Sequence, residues 1–337
     1  MGPLGHVLVT GAAGFIGSQL CAALVARGWS VRGLDAFNDF YDPLAKRRNV
    51  EHLLESPAFD LLPADLATAA LDEVLDDVDA VAHLAGEPGV STSWGPAFPR
   101  YVDRNVLATQ RLLEAVCSRG LRRFVFASSS SVYGAGNDVL RARGEPRPTS
   151  PYGVTKLAGE ALVGSYAYSF GLPAVSLRYF SVYGPRQRPD MAAHRFIEAL
   201  LDGRPPTVFG DGTQVRDYTY VGDVVDATMR ALTADLPPAA VLDIASASPV
   251  DVRTLLATLR ELMSADDVPV TSCEARRGDV PRTAGDISMA QEWLGWSPTV
   301  DLRTGLARQI EWHRGLREQW SAPHHLTDRP LAAATGD

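Results

Sequence analysis

Tyr152 and Lys156 stand four residues apart, a spacing that puts a phenol and an ammonium group on one face of a helix. A free tyrosine loses its proton near pH 10, too high for a base at neutral pH, whereas a nearby positive charge favours the phenolate. Tyr152 can then take a proton from an alcohol while hydride leaves the same carbon. The pair is common by chance, so its weight comes from what precedes it. Gly11, Gly14 and Gly17 form G-x-x-G-x-x-G, and Asp35 follows at the roughly 20-residue distance at which a carboxylate can reach the ribose of a bound dinucleotide. A glycine turn opening a helix lets the backbone approach a pyrophosphate, and the helix N-terminus supplies N–H donors. A carboxylate at Asp35 binds ribose hydroxyls and repels a 2′-phosphate, which favours NAD over NADP. Taken alone, these residues would read as a tight turn and a capping Asp. The run A-S-S-S-S-V-Y-G over 127–134 adds hydroxyls where a strand should end, although such serines can also satisfy their own backbone.

The elements that must position these groups follow from apolar periodicity. Strands are predicted at 6–10, 30–34, 79–84, 123–127 and 173–178, and helices at 15–26, 101–118 and 152–170. Apolar runs of strand length alternating with helices specify an α/β fold, a doubly wound parallel sheet covered on both faces, with ligands at the carboxyl ends of its strands. Beyond Arg178 the texture changes to Pro- and Gly-rich turns. The expected organisation is a dinucleotide-binding domain over 1–180, a smaller substrate lobe over 181–320 with 217–240 returning to the first domain, and a disordered tail over 321–337.

The net charge of −8 and pI near 5.4 exclude a global basic footprint for nucleic acid. An anionic substrate must then be met by local arginines and helix N-termini. Cys21, Cys117 and Cys273 are widely spaced, so neither a zinc site nor a disulfide framework is indicated, and no metal is expected. The first residues lack a secretory signal and no run is long and apolar enough to span a membrane, so a cytoplasmic protein is expected.

The glycine spacing and Y-x-x-x-K together resemble the extended short-chain dehydrogenases/reductases, specifically the NAD-dependent nucleotide-sugar epimerase/dehydratase family (a Rossmann fold), and the likeness runs through most of the chain. It implies a bound NAD contacted by Gly11, Gly14, Phe15, Ile16, Gly17, Asp35, Asn38, Asp65, Leu66, Leu84, Ala85, Gly86, Asn105, Tyr152 and Lys156. Asn105 alone could equally be a satisfied helix polar residue. The resemblance also makes Ser129, with Tyr152 and Lys156, the catalytic set. It further implies a homodimer paired through helices such as 101–118 and 152–170.

Ser130 and Ser131 separate the reactions this family runs. The sugar 4,6-dehydratases carry an acidic pair there and the decarboxylases a Glu, and two neutral hydroxyls are poor acids and bases. A 4-epimerase needs only Tyr152 and a cofactor that takes hydride from C4 and returns it. The stretch F-S-V-Y-G-P-R-Q-R-P-D-M-A over 180–192 is similar to the UDP-glucuronate 4-epimerases, which implies that Ser130, Ser131, Ser181 and Arg188 face the sugar. Arg188 could fork onto a C6 carboxylate or a phosphate. Phe209 can stack on a base, and Arg216, Arg276 and Asp279 resemble the family's diphosphate and ribose ligands. Trp293 and Trp296 read as packing. The leading reading is interconversion of UDP-glucuronate and UDP-galacturonate. Next comes UDP-glucose/UDP-galactose epimerisation, then decarboxylation or dehydration. A net dehydrogenase and a non-catalytic NAD-binding sensor are the rivals from other classes.

Overall fold

Near-continuous apolar strands such as V-L-V need apolar cover on both sides, because successive side chains point to opposite faces. The computed structural model, which describes residues 4–136 and 145–321, supplies that cover. In chain order the first half runs β1 His6–Thr10, α1 Phe15–Ala26, β2 Ser30–Leu34, α2 Pro43–Glu51, β3 Phe59–Leu62, α3 Leu71–Val74, β4 Ala80–His83, α4 Phe98–Val102, α5 Ala108–Val116, β5 Arg123–Ser129, α6 Pro151–Phe170 and β6 Ala174–Tyr179. The second half runs β7 Val182–Tyr183, α7 Ala192–Leu201, β8 Thr207–Phe209, β9 Val215–Arg216, β10 Thr219–Tyr220, α8 Val221–Thr233, β11 Ala240–Ile244, β12 Val250–Asp251, α9 Val252–Met263, β13 Thr271–Cys273, α10 Ser288–Leu294 and α11 Leu302–Ser321.

Seven parallel strands form one sheet in the order β11-β6-β5-β4-β1-β2-β3. The order reverses between β1 and β4, the place where such sheets bind dinucleotides. Val7 and Val9 join a core with Leu20 and Leu24 of α1 and Val224 of α8. Leu8, between them, faces the opposite core with Leu112 and Leu113 of α5 and Val163 of α6. A third core, with Phe196 and Ile197 of α7, Leu255 and Leu259 of α9 and Leu306 and Ile310 of α11, belongs to the smaller lobe.

Three features differ from the sequence reading. The helix expected over 101–118 begins at Phe98 and is interrupted by a π-helical turn, Asp103–Leu107, between α4 and α5. Such turns insert one residue and often mark functional positions, and this one carries Asn105. The segment returning to the main sheet does not stop at residue 240: β11 pairs in register with β6 through Ile244, and Ala290, Leu294 and Trp296 pack into the same core. The tail assigned to 321–337 lies, apart from Ser321 at the end of α11, outside the described residues.

Candidate active site

The glycine turn is built by close approach of backbone to backbone. Gly11 has φ 70°, and a Cβ there would meet the Ala85 nitrogen at 2.9 Å. At Gly17 a Cβ would lie 2.1 Å from the Gly11 carbonyl oxygen. Gly14 caps α1 without a side-chain hydrogen bond and no acidic residue occupies the first turn, so the N–H groups there face the cleft uncontested. Asp35 is buried at the end of β2, its two oxygens accepting from the N–H groups of Ala13 (3.1 Å) and Phe37 (2.8 Å). Gly11, Gly14, Phe15, Ile16, Gly17, Asp35, Asn38, Asp65, Leu66, Leu84, Ala85, Gly86, Tyr152 and Lys156 line one cleft. A side-chain-free cradle, an open helix N-terminus and a fixed carboxylate fit a dinucleotide. Asn105 stands behind this cleft as a brace: its Oδ1 accepts from the Glu87 N–H (2.6 Å), and its Nδ2 donates to the Glu87 carbonyl and to Thr155 Oγ1 (3.0 Å each).

Tyr152 and Lys156 lie on α6, whose start is fixed by Pro151 and by Ser150, which accepts from the Gly153 N–H. Ser129 ends β5; its Oγ accepts from the Ser131 N–H at 3.1 Å, and its hydroxyl also hydrogen-bonds the Tyr152 phenol. Burial raises the Tyr152 phenol above its ordinary value, opposed by its hydrogen bond with Ser129 and by the Arg188 charge. The sequence reading gave the electrostatic task to Lys156. In the structure the Arg188 charge also bears on the phenol, countered by Asp190, and the Lys156 ammonium in the same cleft donates to the Ala127 carbonyl at 2.9 Å. Burial pulls Lys156 down to about 8, and Glu160 one turn further on resists that fall.

A second cleft of about 650 Å³ opens beside the first, large enough for a substantial ligand. Ser129, Ser130, Ser131, Ser181, Arg188, Phe209, Arg216, Arg276 and Asp279 all line it. Arg216 and Asp279 form an ion pair. The Phe209 ring carries the Arg276 guanidinium 3.7 Å from its centroid, with Arg195, not singled out from the sequence, at 4.9 Å. Arg188 is held by both oxygens of Asp190, at 2.9 and 3.0 Å. Phe15, Ile16, Pro88, Ser128, Tyr152, Tyr179 and Arg188 line both clefts, so Tyr152 sits where the two meet. Trp296 is buried and donates to the Asp223 carbonyl, a packing role.

Several supporting groups escaped the sequence reading. Ser128 donates to Glu160, which binds Arg178 through both oxygens (2.9 and 2.7 Å). Arg178 donates to the Tyr133 hydroxyl (2.8 Å), and Tyr133 donates to Asp243 (2.7 Å), a carboxyl raised to about 6 by burial. This buried chain ties the end of β5 to the helix that carries Tyr152. Its one sequence signal is Glu160, four residues beyond Lys156 and so on the same helical face. Glu87 is fully buried between Arg100 (2.8 Å) and Arg104 (2.7 Å). Away from both clefts, His194, Glu198 and His313 bring together the donor types of a metal site. Glu198 is already bonded at 2.5 Å to both His313 and Arg317, and these contacts tie α7 to α11.

Residues 7–245 match the sequence profile of the family described as NAD dependent epimerase/dehydratase. The chain is 41% identical over 308 residues to an uncharacterized UDP-glucose epimerase, YtcB, of Bacillus subtilis (strain 168), covering 90% of this chain and 96% of the relative. Among solved structures it resembles UDP-glucuronic acid 4-epimerase from Bacillus cereus in complex with UDP-glucuronic acid and NAD, with a TM-score of 0.89, 41% identity, and 92% and 99% of the two chains covered. MoeE5 is similar at 43% identity with UDP-glucuronic acid and NAD bound (TM-score 0.82) and at 42% with UDP-glucose and NAD bound (0.83), covering 93% of this chain and all of that one.

Proposed function

This chain belongs to the NAD-dependent epimerase/dehydratase family, and from that premise we propose that it interconverts UDP-glucuronate and UDP-galacturonate through a 4-keto sugar. The observation that carries the proposal is the position of Tyr152 at the junction of the dinucleotide cleft and the arginine-lined cleft. A sugar lying there has its C4 hydroxyl against the phenol and its nucleotide among Arg195, Arg216 and Arg276. Bound NAD supplies a hydride acceptor that returns the hydride, so no net redox partner is consumed. Tyr152 takes the C4 hydroxyl proton in one direction and gives it back in the other. Ser129, its oxygen already engaged by the Ser131 N–H, donates its hydrogen to the C4 oxygen. Lys156 and Arg188 keep positive charge near the phenolate.

A uronate oxidised at C4 is a β-keto acid and loses CO₂ when its carboxylate bond aligns with the carbonyl π system. An epimerase must hold the carboxylate out of that alignment, and the hydroxyls of Ser129, Ser130, Ser131 and Ser181 line the cleft as donors for the task. UDP-glucose and UDP-galactose are the second reading, supported by the likeness to a relative named a UDP-glucose epimerase and to MoeE5 with UDP-glucose bound.

Two further parts of the proposal rest on the surface. Leu107, Val154 and Tyr168 are exposed on helical segments between residues 98 and 170, which supports a homodimer paired through α5 and α6. Free thiols at Cys21, Cys117 and Cys273 suit a reducing cytoplasm. The test supplies UDP-, GDP- and dTDP-sugars with no added NAD and reads the products by NMR. UDP-galacturonate should form from UDP-glucuronate, without CO₂ and without NADH beyond one equivalent per subunit. Stoichiometric CO₂, accumulating NADH or no epimer from any sugar would refute the assignment.

A further inference from the structure

We propose that Gln309, on the last helix α11, is a positioning residue for the reaction: through Gln187 it fixes the segment that holds Arg188 beside Tyr152. This rests on the reading of the site as a UDP-sugar 4-epimerase, in which Arg188 acts near the sugar and the phenol. It extends the working parts of the site to a residue outside both clefts.

Gln309 is fully buried, lines neither cleft, and lies beyond residues 7–245 that match the family profile. Its Oε1 accepts from the Gly184 N–H (2.9 Å), and its Nε2 donates to Oε1 of Gln187 (2.8 Å), a buried residue 122 positions earlier. Gln187 Oε1 also accepts from the His194 N–H (3.0 Å), and Gln187 Nε2 donates to the Val182 carbonyl (3.0 Å). Each amide oxygen thus faces a backbone N–H. Neither carboxamide can turn over without setting donor against donor, so the polarity of the pair is fixed.

These bonds fall at both ends of the segment that carries Arg188. Val182 and Gly184 precede it. His194 follows it in the first turn of α7, whose N-cap residue Met191 makes no side-chain hydrogen bond. Gln187 supplies the acceptor that this turn lacks. Between the two ends, Arg188, Pro189 and Asp190 line the substrate cleft, and Arg188 lines the dinucleotide cleft as well. Docking of α11 does not call for the amides, because Leu306 and Ile310 already pack into the core of the smaller lobe. Apolar packing is non-directional, whereas hydrogen bonds specify distance and angle. The amide pair therefore adds what the core cannot, a defined backbone path through Arg188.

The experiment measures kcat, KM and bound NAD with UDP-glucuronate for the NAD-loaded enzyme and its variants. Gln309→Met keeps the side-chain length and removes both bonds. It should raise KM about five- to tenfold with NAD content unchanged. Arg188→Ala should raise KM further. Adding Gln309→Met to Arg188→Ala should then change KM by less than about twofold, because the two substitutions act through one group. Ile310→Val, a core change on the same helix, should lower the melting temperature and leave KM within about twofold of the parent. Fully multiplicative effects in the double variant, or an equal rise of KM in Ile310→Val, overturn the proposal. Should Gln309→Met lose its melting transition, Gln309→Asn, whose shorter amide cannot reach both partners, is read in the same way. Failure of both to fold while Ile310→Val folds also overturns it, because the amide would then serve the fold alone.

Trypsin gives a readout that needs no substrate. It cuts after Arg186, which Gln187 follows, and not after Arg188, which Pro189 follows. Cleavage at Arg186 should quicken roughly tenfold in Gln309→Met and stay near the parent rate in Ile310→Val. If the parent enzyme turns over no UDP-sugar, it is the reading of the site that fails. The positioning claim is then decided by this rate, and equal cleavage in parent and Gln309→Met overturns it.

Discussion

The two clefts that meet at Tyr152 are built on different principles. The dinucleotide side uses backbone: glycine turns in van der Waals contact, an uncapped helix N-terminus, and a carboxylate fixed by two N–H groups. The substrate side uses long side chains held in ion pairs, Arg188 with Asp190 and Arg216 with Asp279. A backbone cradle admits one shape and little variation, whereas paired arginines can be retuned by changing a partner. That contrast accounts for how one cofactor site can serve relatives named for different sugars.

Substitutions on either side should therefore fail in different ways. The largest effect belongs to the junction itself: Tyr152→Phe should lower kcat about 10³-fold with NAD content unchanged, as measured by turnover and by cofactor released on denaturation. Next, Gly17→Ala forces a Cβ against the Gly11 carbonyl oxygen. It should cost on the order of 1–3 kcal/mol, seen as lost NAD and a lower melting temperature. If the purified variant kept its full complement of NAD, the cradle would be more pliable than described. On the other side, Arg216→Ala should raise KM for the nucleotide sugar by roughly 10–100-fold through a lost charge-assisted contact, with NAD content and melting little changed. A loss of cofactor in that variant would erase the distinction between the two sides.

A smaller effect tests the rigidity of the cofactor half. His83 is fully buried between Thr10 Oγ1 (2.7 Å) and Thr109 Oγ1 (2.9 Å), bridging β1 and α5, and burial lowers its pKa to about 3. The unfolded chain binds that proton near pH 6.5. His83 therefore contributes its full stability above about 6.5, and the contribution falls as the pH drops toward 3, by about 1.4 kcal/mol per pH unit. His194, lowered to about 4, adds to the upper part of the same window. In His83→Gln the slope of unfolding free energy against pH should flatten by about that amount between pH 6 and 4, as measured by denaturant titration.

The same contrast explains what could be read from the sequence. Gly11, Gly14, Gly17 and the Tyr152–Lys156 pair are local patterns, and alternating apolar strands carry their partners' distances with them. The supporting network is not local: Tyr133 and Asp243 are 110 residues apart, and Ser128 and Glu160 are 32 apart. No periodicity marks such pairs, because the partners sit on separate elements far apart in the chain. The added charge of Arg188 near the phenol has the same origin, since it comes from a separate segment of the chain that only the fold brings to the same cleft. The neutralisation of Arg188 did have a local signal, an acidic residue two positions on. The π-helical turn at Asn105 had none, because the apolar spacing around it suits an unbroken helix.

The central claim is that Tyr152 and a resident cofactor take hydride from C4 of the sugar and return it to that carbon. UDP-glucuronate deuterated at C4, incubated with the enzyme in ordinary water and an excess of unlabelled NADH, tests it directly by NMR of the product. The account predicts UDP-galacturonate that keeps its deuterium at C4. Loss of the label to water or to the NADH pool, or an epimer inverted at another carbon, would contradict it.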